Sequence, residues 1–272
     1  MANTNSGVHV KFSQVAKRFR TPKGDWYQAL KSLDFEIQPG EFVSLVGPTG
    51  CGKSTALTLV SGLEMPSLGS VQVDGKEVKD IDTSTGFVFQ HDATFPWMNV
   101  SHNVGSGPRF RGMNEKDVVP LVQQWISKVG LTGFEKHFPH QLSGGMRKRV
   151  ALAQCLINQP KLLLLDEPFS ALDVQTRAIM TEELMQLWES TGSTVMFVTH
   201  DLEEAIALSD RVLVLTAGPA SVKANFKIDL PRPRKARDIR FNPEFMKIYQ
   251  ELWEILREEV DVAYQRQLIV TK

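Results

Sequence analysis

One short segment, Gly47–Ser54, constrains the fold of this chain more than any other, and its letters are GPTGCGKS. A continuous apolar run, Phe42–Val46, precedes it, and a segment with helical character, Lys53–Ser61, follows it. Glycines let the backbone turn so that its N–H groups converge on phosphate oxygens, and the next helix adds the positive end of its dipole. The spacing G-x-x-x-x-G-K-S between a strand and a helix therefore predicts a nucleotide phosphate site in an α/β fold.

The residue types of this loop match distinct parts of a bound nucleotide. Lys53 brings a full positive charge to the β and γ phosphates, and the hydroxyl of Ser54 suits Mg²⁺. The alternative is a chance glycine-rich turn before a helix, which requires strand, loop, lysine and serine to fall into register by accident. The predicted nucleotide-binding residues here are Gly47, Pro48, Thr49, Gly50, Cys51, Gly52, Lys53, Ser54 and Thr55.

Two acids, Asp166 and Glu167, follow the apolar run Leu162–Leu165. An acid at the end of a buried parallel strand lies at the sheet edge where α/β folds bind ligands. We expect Asp166 to hold Mg²⁺, and Glu167 to orient and polarise an attacking water. Alternatively, the two acids cap the next helix or face solvent. With the phosphate loop they indicate a P-loop NTPase, a class that includes kinases, helicases, GTPases and transporters.

The composition excludes several other classes of protein. The chain has 272 residues with 31 Lys+Arg against 31 Asp+Glu, a balance that does not support a strongly basic nucleic-acid binder. No apolar stretch is long enough to predict a transmembrane helix, and the N-terminus does not resemble a signal peptide, so we expect a cytoplasmic chain. Cys51 and Cys155 form neither a disulfide framework nor a zinc site.

The order of local signals along the chain predicts its organisation. Strand signals, with a hairpin at Asp74-Gly75, dominate the first third. Helical signals replace them from about residue 92 to 158, and βα alternation returns afterwards, which predicts a parallel sheet with an inserted helical subdomain. We expect a main domain over 8–230. We expect residues 231–272 to form a linker followed by a surface helix, Pro243–Glu259. The basic stretch of the linker, Pro231–Arg240, either resists packing into a core or touches anionic lipid.

A second candidate anion site opens the segment Leu142–Arg147, LSGGMR. Ser143 can cap a helix whose N-terminus two glycines leave bare, and this site is surplus unless it serves the nucleotide of another subunit. The segment resembles the signature motif of ATP-binding cassette (ABC) proteins. Gln90, the run Ser170–Asp173 and His200 resemble, in the same order, the Q-loop glutamine, the D-loop and the switch histidine of that family.

The resemblance implies an ABC cassette: a RecA-like parallel sheet with an N-terminal antiparallel β subdomain and a helical subdomain. It also implies a head-to-tail dimer that traps ATP and Mg²⁺ between two chains. His200 would touch the γ-phosphate and order Glu167, and Gln90 would join the Mg²⁺ shell. The residues implied to act across the dimer interface are Ser143, Gly144, Gly145 and Asp173.

The family places an aromatic ring against the adenine, and Phe19 matches the position where that residue is usually tyrosine. Trp26 and Tyr27 are rivals, because Thr21–Trp26 is interpreted as the tip of an additional hairpin. The other interpretation of Phe19 is that it belongs to the core.

Three details resemble one branch of the family, the importers of nitrate, sulfonates and taurine. They are the segment Phe95–Val100 (FPWMNV), Met146 within the signature, and the C-terminal segment Asp229–Arg234 (DLPRPR). Lys148 stands where glutamine is frequent, and it leads to no sequence-based expectation.

A single cassette without a predicted membrane span needs partners to transport anything. The branch implies a peripheral subunit at the cytoplasmic face of the inner (plasma) membrane, bound to a permease through the Gln90–Val100 region. Its further partners would be a second cassette, either an identical copy or a paralogue, and, indirectly, an external solute-binding protein, without nucleic acid. Trp97 either lines the groove for a permease helix or belongs to the core. The alternatives are a soluble ABC clamp in DNA repair or translation, and a degenerate cassette.

Overall fold

The computed structural model describes residues 7–90, 93–170, 172–234 and 238–270. Five parts of the predictions lie outside these residues. They are His91, Asp92 at the predicted start of the helical subdomain, Ala171 of the D-loop-like run, 235–237 of the basic stretch, and 271–272 at the end of the C-terminal segment.

One sheet of ten strands runs through the part of the chain that the structure describes. In chain order the strands are β1 (Val10–Arg20), β2 (Trp26–Ile37), β3 (Phe42–Val46), β4 (Leu68–Val73), β5 (Lys76–Glu77), β6 (Thr85–Val88), β7 (Leu162–Asp166), β8 (Thr194–Val198), β9 (Arg211–Leu215) and β10 (Ala220–Lys227). Their order across the sheet is β5-β4-β1-β2-β10-β9-β3-β8-β7-β6.

Five neighbouring strands, β9, β3, β8, β7 and β6, run parallel and form the centre of the fold. β3, β7 and β8 are buried at every residue, as expected where helices cover both faces of a parallel sheet. Parallel strands end at the same edge, so the segments after β3, β6, β7 and β8 meet there. The predicted α/β fold with a parallel core is confirmed.

The other half of the sheet contains the predicted antiparallel strands, β1, β2, β4 and β5. Asp74 and Gly75 have φ of 48° and 72°, the left-handed pair that a two-residue hairpin turn requires. β1 continues as far as Arg20, because a bulge at Gln14 (φ 47°) lets the strand go on after its alternation breaks.

Helices cover both faces of the sheet and build the inserted subdomain. They are α1 (Lys53–Val60), α2 (Val100–Val104), α3 (Ser106–Phe110), α4 (Glu115–Lys128), α5 (Gly144–Leu156), α6 (Val174–Thr191), α7 (Leu202–Leu208) and α8 (Pro243–Val270). α2, α3, α4 and α5 lie within the segment predicted to be helical, about 92–158, although the five-residue helices α2 and α3 were not predicted individually. Within the described ranges, no helix is both long and apolar enough to cross a bilayer.

The prediction for the basic stretch of the C-terminal segment differs from the structure. The stretch Pro231–Arg240 was expected to resist packing, but Arg234 is buried and its guanidinium donates to the carbonyls of Ile206, Ile228 and Leu230. Arg232 pairs with Asp210 at 2.7 Å. The prediction is wrong because a planar guanidinium with five donors can satisfy several carbonyls at once.

The last helix, α8, is longer than the predicted Pro243–Glu259. Three of its side chains, Phe245, Leu252 and Leu256, are buried in an apolar cluster with residues of α7 and β9. The helix therefore completes a core instead of lying loosely on the surface.

Candidate nucleotide site

The phosphate loop connects β3 to α1, and one of its glycines has no possible replacement. Gly52 precedes α1 with φ 119°, a conformation that other residues rarely adopt. A Cβ there would lie 2.6 Å from Leu30 Cδ2 and 3.0 Å from the carbonyl oxygen of Ala29. The loop can therefore close against β2 only with glycine at this position.

Lys53 lies over the same loop. Its ammonium is buried and donates hydrogen bonds to the carbonyl oxygens of Gly47 at 2.9 Å and Pro48 at 3.1 Å. These bonds hold the side chain curled back toward the start of the loop. A full positive charge is thereby fixed where phosphate oxygens would bind.

Ser54 joins α1 to the end of β7, because its hydroxyl donates to Asp166 Oδ1 at 2.9 Å. A hydroxyl and a carboxylate are hard oxygen donors, which Mg²⁺ prefers, and Mg²⁺ commonly takes only one or two carboxylates with substrate phosphates. No group of three or more His, Cys, Asp or Glu suited to a metal occurs among the residues with described positions. The donors present therefore fit Mg²⁺ held partly by a nucleotide.

Three predicted catalytic residues meet at one oxygen atom. Glu167 Oε2 accepts a hydrogen bond from Gln90 Nε2 at 3.0 Å and lies 3.4 Å from His200 Nδ1. These residues follow β7, β6 and β8. The Glu167 backbone has φ 43° and donates its N–H to the carbonyl of Val198 at 2.9 Å, which fixes the turn that aims the carboxylate.

A cavity of about 660 Å³ contains these groups, a size within the usual range for small-molecule sites. Its lining combines the phosphate loop, the acid and two aromatic rings. The residues are Phe19, Tyr27, Ala29, Thr49, Gly50, Gly52, Lys53, Ser54, Thr55, Gln90, Glu167, Ser170 and His200.

Two of the three aromatic rings considered for stacking on adenine line this cavity. Phe19 is half-buried, packs against the core and carries Lys17 Nζ at 4.8 Å from its ring centre. Tyr27 also lines the cavity, and its hydroxyl donates to the carbonyl of Gly50 at 3.4 Å. Trp26, the other rival, is 69% exposed.

The signature residues lie away from this cavity. Ser143 caps α5, its Oγ accepting the N–H of Met146 at 3.3 Å, and Ser143 and Gly144 are exposed. Of the described residues that line the cavity, none belongs to the signature. Asp173 is likewise exposed and caps α6, where the N–H of Thr176 is the main reason that the pKa of its carboxyl is lowered.

Two further contacts at the site were not predicted. Ser170, the first residue of the D-loop-like run, donates from Oγ to the carbonyl of Glu167 at 3.0 Å, and its place three residues after the acid could have suggested this contact. Beside His200, Thr199 Oγ1 donates to Glu204 Oε2 at 2.6 Å. Burial is the main reason that the pKa of Glu204 is raised to about 7.

Comparison with known proteins identifies the family of this chain. The sequence matches the family described as ABC transporter over residues 30–170. It is 43% identical to an uncharacterized ABC transporter ATP-binding protein of Methanocaldococcus jannaschii, over 93% of both chains. It is 39% identical to a nitrate import ATP-binding protein of Synechocystis sp., over 92% of this chain and 96% of that one. An aliphatic sulfonates import ATP-binding protein of Bacillus cereus is 38% identical, over 89% and 95%.

A solved structure has the same fold and a filled site. It is the dimeric, post-hydrolysis state of an ATP-binding cassette bound to ADP and phosphate. It is 33% identical, with a TM-score of 0.73, and the match covers 82% of this chain and all of that one. Family match, relatives and fold agree, and the chain therefore belongs to the ABC transporter family, as an ATP-binding ATPase subunit that resembles the nitrate and sulfonate importers.

Proposed function

We propose that this chain hydrolyses ATP to drive the uptake of a small anion, such as nitrate, an aliphatic sulfonate or taurine, through a separate permease. Two relatives named for nitrate and sulfonate import support this proposal. The segments FPWMNV and DLPRPR of the sequence support the same branch.

In the proposed reaction, the ammonium of Lys53 neutralises charge on the β and γ phosphates. Ser54, Asp166 and Gln90 would hold Mg²⁺, which polarises the phosphates when bound. Glu167 orients and polarises the attacking water, and His200 keeps that carboxylate aimed at it. The two contacts to Glu167 Oε2 support these assignments.

A second copy of the chain would complete the site. Ser143, Gly144 and Gly145 of one copy would bind the nucleotide held by the other, and Asp173 would cross the interface. Ser143, Gly144 and Asp173 are exposed outside the cavity of their own chain, which supports this arrangement, as does the dimeric form of the related cassette.

The observation that carries the transport proposal is an aromatic patch on the helical subdomain, formed by Phe95, Trp97 and Phe110. Trp97 and Phe110 are both 71% exposed, and the Phe95 ring centre lies 5.6 Å and 6.2 Å from theirs. The interpretation of Trp97 as core is therefore wrong. Exposed aromatic clusters mark interaction sites, and we assign this one to a short cytoplasmic helix of the permease. The subunit would then lie at the cytoplasmic face of the inner membrane, with a solute-binding protein on the other side.

The test is to tag the chain, solubilise native membranes gently and identify the proteins that co-purify. A multi-span permease is the expected partner, and uptake by that complex is then compared for nitrate, sulfonates and taurine. A chain that stays in the soluble fraction without a membrane partner would overturn the proposal and favour a soluble ATPase clamp.

A further inference from the structure

Lys148 has an unusual position for a lysine. It lies on the second turn of α5, five residues after Ser143, and is only 4% exposed. A buried ammonium is costly unless polar groups surround it. One of its partners is the main-chain carbonyl of Gln90, to which Nζ donates at 2.6 Å.

This bond completes a continuous path of contacts from the signature residues at the start of α5 to the carboxylate of Glu167. Lys148 Nζ holds the main chain of Gln90, whose side chain donates to Glu167 Oε2 at 3.0 Å. At the other end, α5 begins at the signature glycines and transmits their position as a rigid helix. A movement of α5 by 1 Å would stretch the 2.6 Å bond beyond hydrogen-bonding distance or pull Gln90 with it.

We infer that Lys148 is a positioning residue that ties the signature helix to Gln90, so that the signature sets how firmly Gln90 holds Glu167. The inference rests on the proposed roles of Gln90 and Glu167. Lys148 is not expected to affect the affinity for ATP, because it does not belong to the residues that line the cavity.

The test uses Lys148→Met, which keeps the apolar stem and removes the donor, in the full-length chain. We expect kcat for ATP hydrolysis to fall about tenfold while KM for ATP and the affinity for a fluorescent ATP analogue stay within twofold. Lys148→Arg keeps a charged donor and should retain at least half of kcat. Lys116→Met, at an exposed lysine of α4, is the matched control and should leave kcat unchanged.

A double-mutant cycle separates positioning from general support of the fold. In a Gln90→Ala background the tie has no side chain to position, so Lys148→Met should lower kcat less than twofold further. Equal losses in both backgrounds, or full activity of Lys148→Met, would overturn the inference. Because the assay follows ATP hydrolysis, a failure to import nitrate or sulfonates would refute the proposed function without affecting this result.

Discussion

The carboxylate of Glu167 is held from two sides, by the amide of Gln90 and the imidazole of His200. Each of the three residues follows a different strand of the parallel core, so the edge of the sheet sets their geometry. A carboxylate fixed in this way points in one direction before water or nucleotide arrives. Such preorganisation lowers the cost of reaching the reactive arrangement.

Replacing Glu167 with glutamine tests its proposed role. The amide keeps the shape of the side chain but cannot act as a base, so we expect ATP hydrolysis to fall at least 100-fold, in the range for loss of a general base. ATP affinity should stay within about twofold, since the phosphate contacts remain. Phosphate release and binding of a fluorescent ATP analogue measure the two effects.

The same variant should accumulate as a dimer with ATP and Mg²⁺, which size-exclusion chromatography detects. Glu189→Gln, at an exposed acid on α6, is the matched control and should behave as the unmodified protein does. Hydrolysis at the normal rate by Glu167→Gln would refute the role given to this carboxylate.

Glu204 should make stability depend on pH. Its pKa is raised from 4.5 to about 7, mainly by burial, so between these values the folded protein binds a proton that the unfolded chain releases. The free energy of unfolding therefore falls as pH rises through this window, by on the order of 3 kcal/mol at most. Glu204→Gln removes this dependence, and its Tm relative to the unmodified protein should rise from pH 5 to pH 8. A constant difference in Tm would contradict the shift.

Several helices begin at residues whose side chains cap them, and two of these residues, Ser143 and Asp173, belong to the motifs. Ser143 caps α5, Asp173 caps α6 and Asp201 caps α7, each accepting backbone N–H groups of the first turn. The starts of α5 and α6 were therefore predictable from sequence. The five-residue helices α2 and α3 were not predictable, because five residues are too few to show a helical period.

The C-terminal segment shows another limit of sequence reasoning at the scale of elements. Local composition favours solvent for a stretch with two prolines and several arginines. Arg234 is buried instead, because carbonyls of Ile206, Ile228 and Leu230, which are distant in sequence or outside the stretch, converge on it. Which carbonyls satisfy a buried arginine depends on how the chain folds around it, so the composition of the stretch does not reveal these contacts.

Arg234→Met should destabilise the whole protein, because the carbonyls of Ile206, Ser209, Ile228 and Leu230 would lose a charged donor. Breaking such a buried charged contact typically costs about 3 kcal/mol. Lys227→Met, at a lysine that is 79% exposed, is the control and should change the free energy of unfolding by less than about 0.5 kcal/mol. Urea unfolding measures both variants, and equal midpoints would show that the buried guanidinium does not stabilise the fold.

Across the whole molecule, the sequence predicted the fold and the residues that converge on Glu167. Spacing was sufficient because Gln90, Glu167 and His200 each follow a parallel strand, and such strands share one edge. The sequence could not decide between Phe19 and Tyr27 for the adenine, since both lie on the same hairpin and line the same cavity. Nor could it show the contact of Lys148 with Gln90, which joins residues 58 positions apart.

Trp97→Ala should separate transport from ATP binding. The ring is 71% exposed, so its loss should not disturb the fold, and ATP affinity should stay unchanged. We expect recovery of the permease with the tagged chain to fall at least tenfold, as for loss of an interface hot spot. Trp26→Ala, at another exposed tryptophan, should recover the permease normally. Unchanged uptake by Trp97→Ala would refute the assignment of the aromatic patch.

The backbone of Glu167, with φ 43°, lies in a region that costs residues with a Cβ roughly 1–2 kcal/mol. Glycine does not bear this cost. The free energy of unfolding, measured with urea, should therefore be about 1 kcal/mol higher for Glu167→Gly than for Glu167→Ala, the reverse of the usual order. Equal stability would show that this backbone bears no strain. In evolutionary terms, selection for a stable fold alone would favour glycine here over the acid to which we assign the activation of water. A lineage that no longer depends on transport would lose this side chain early, and keep a well-folded subunit that still binds ATP.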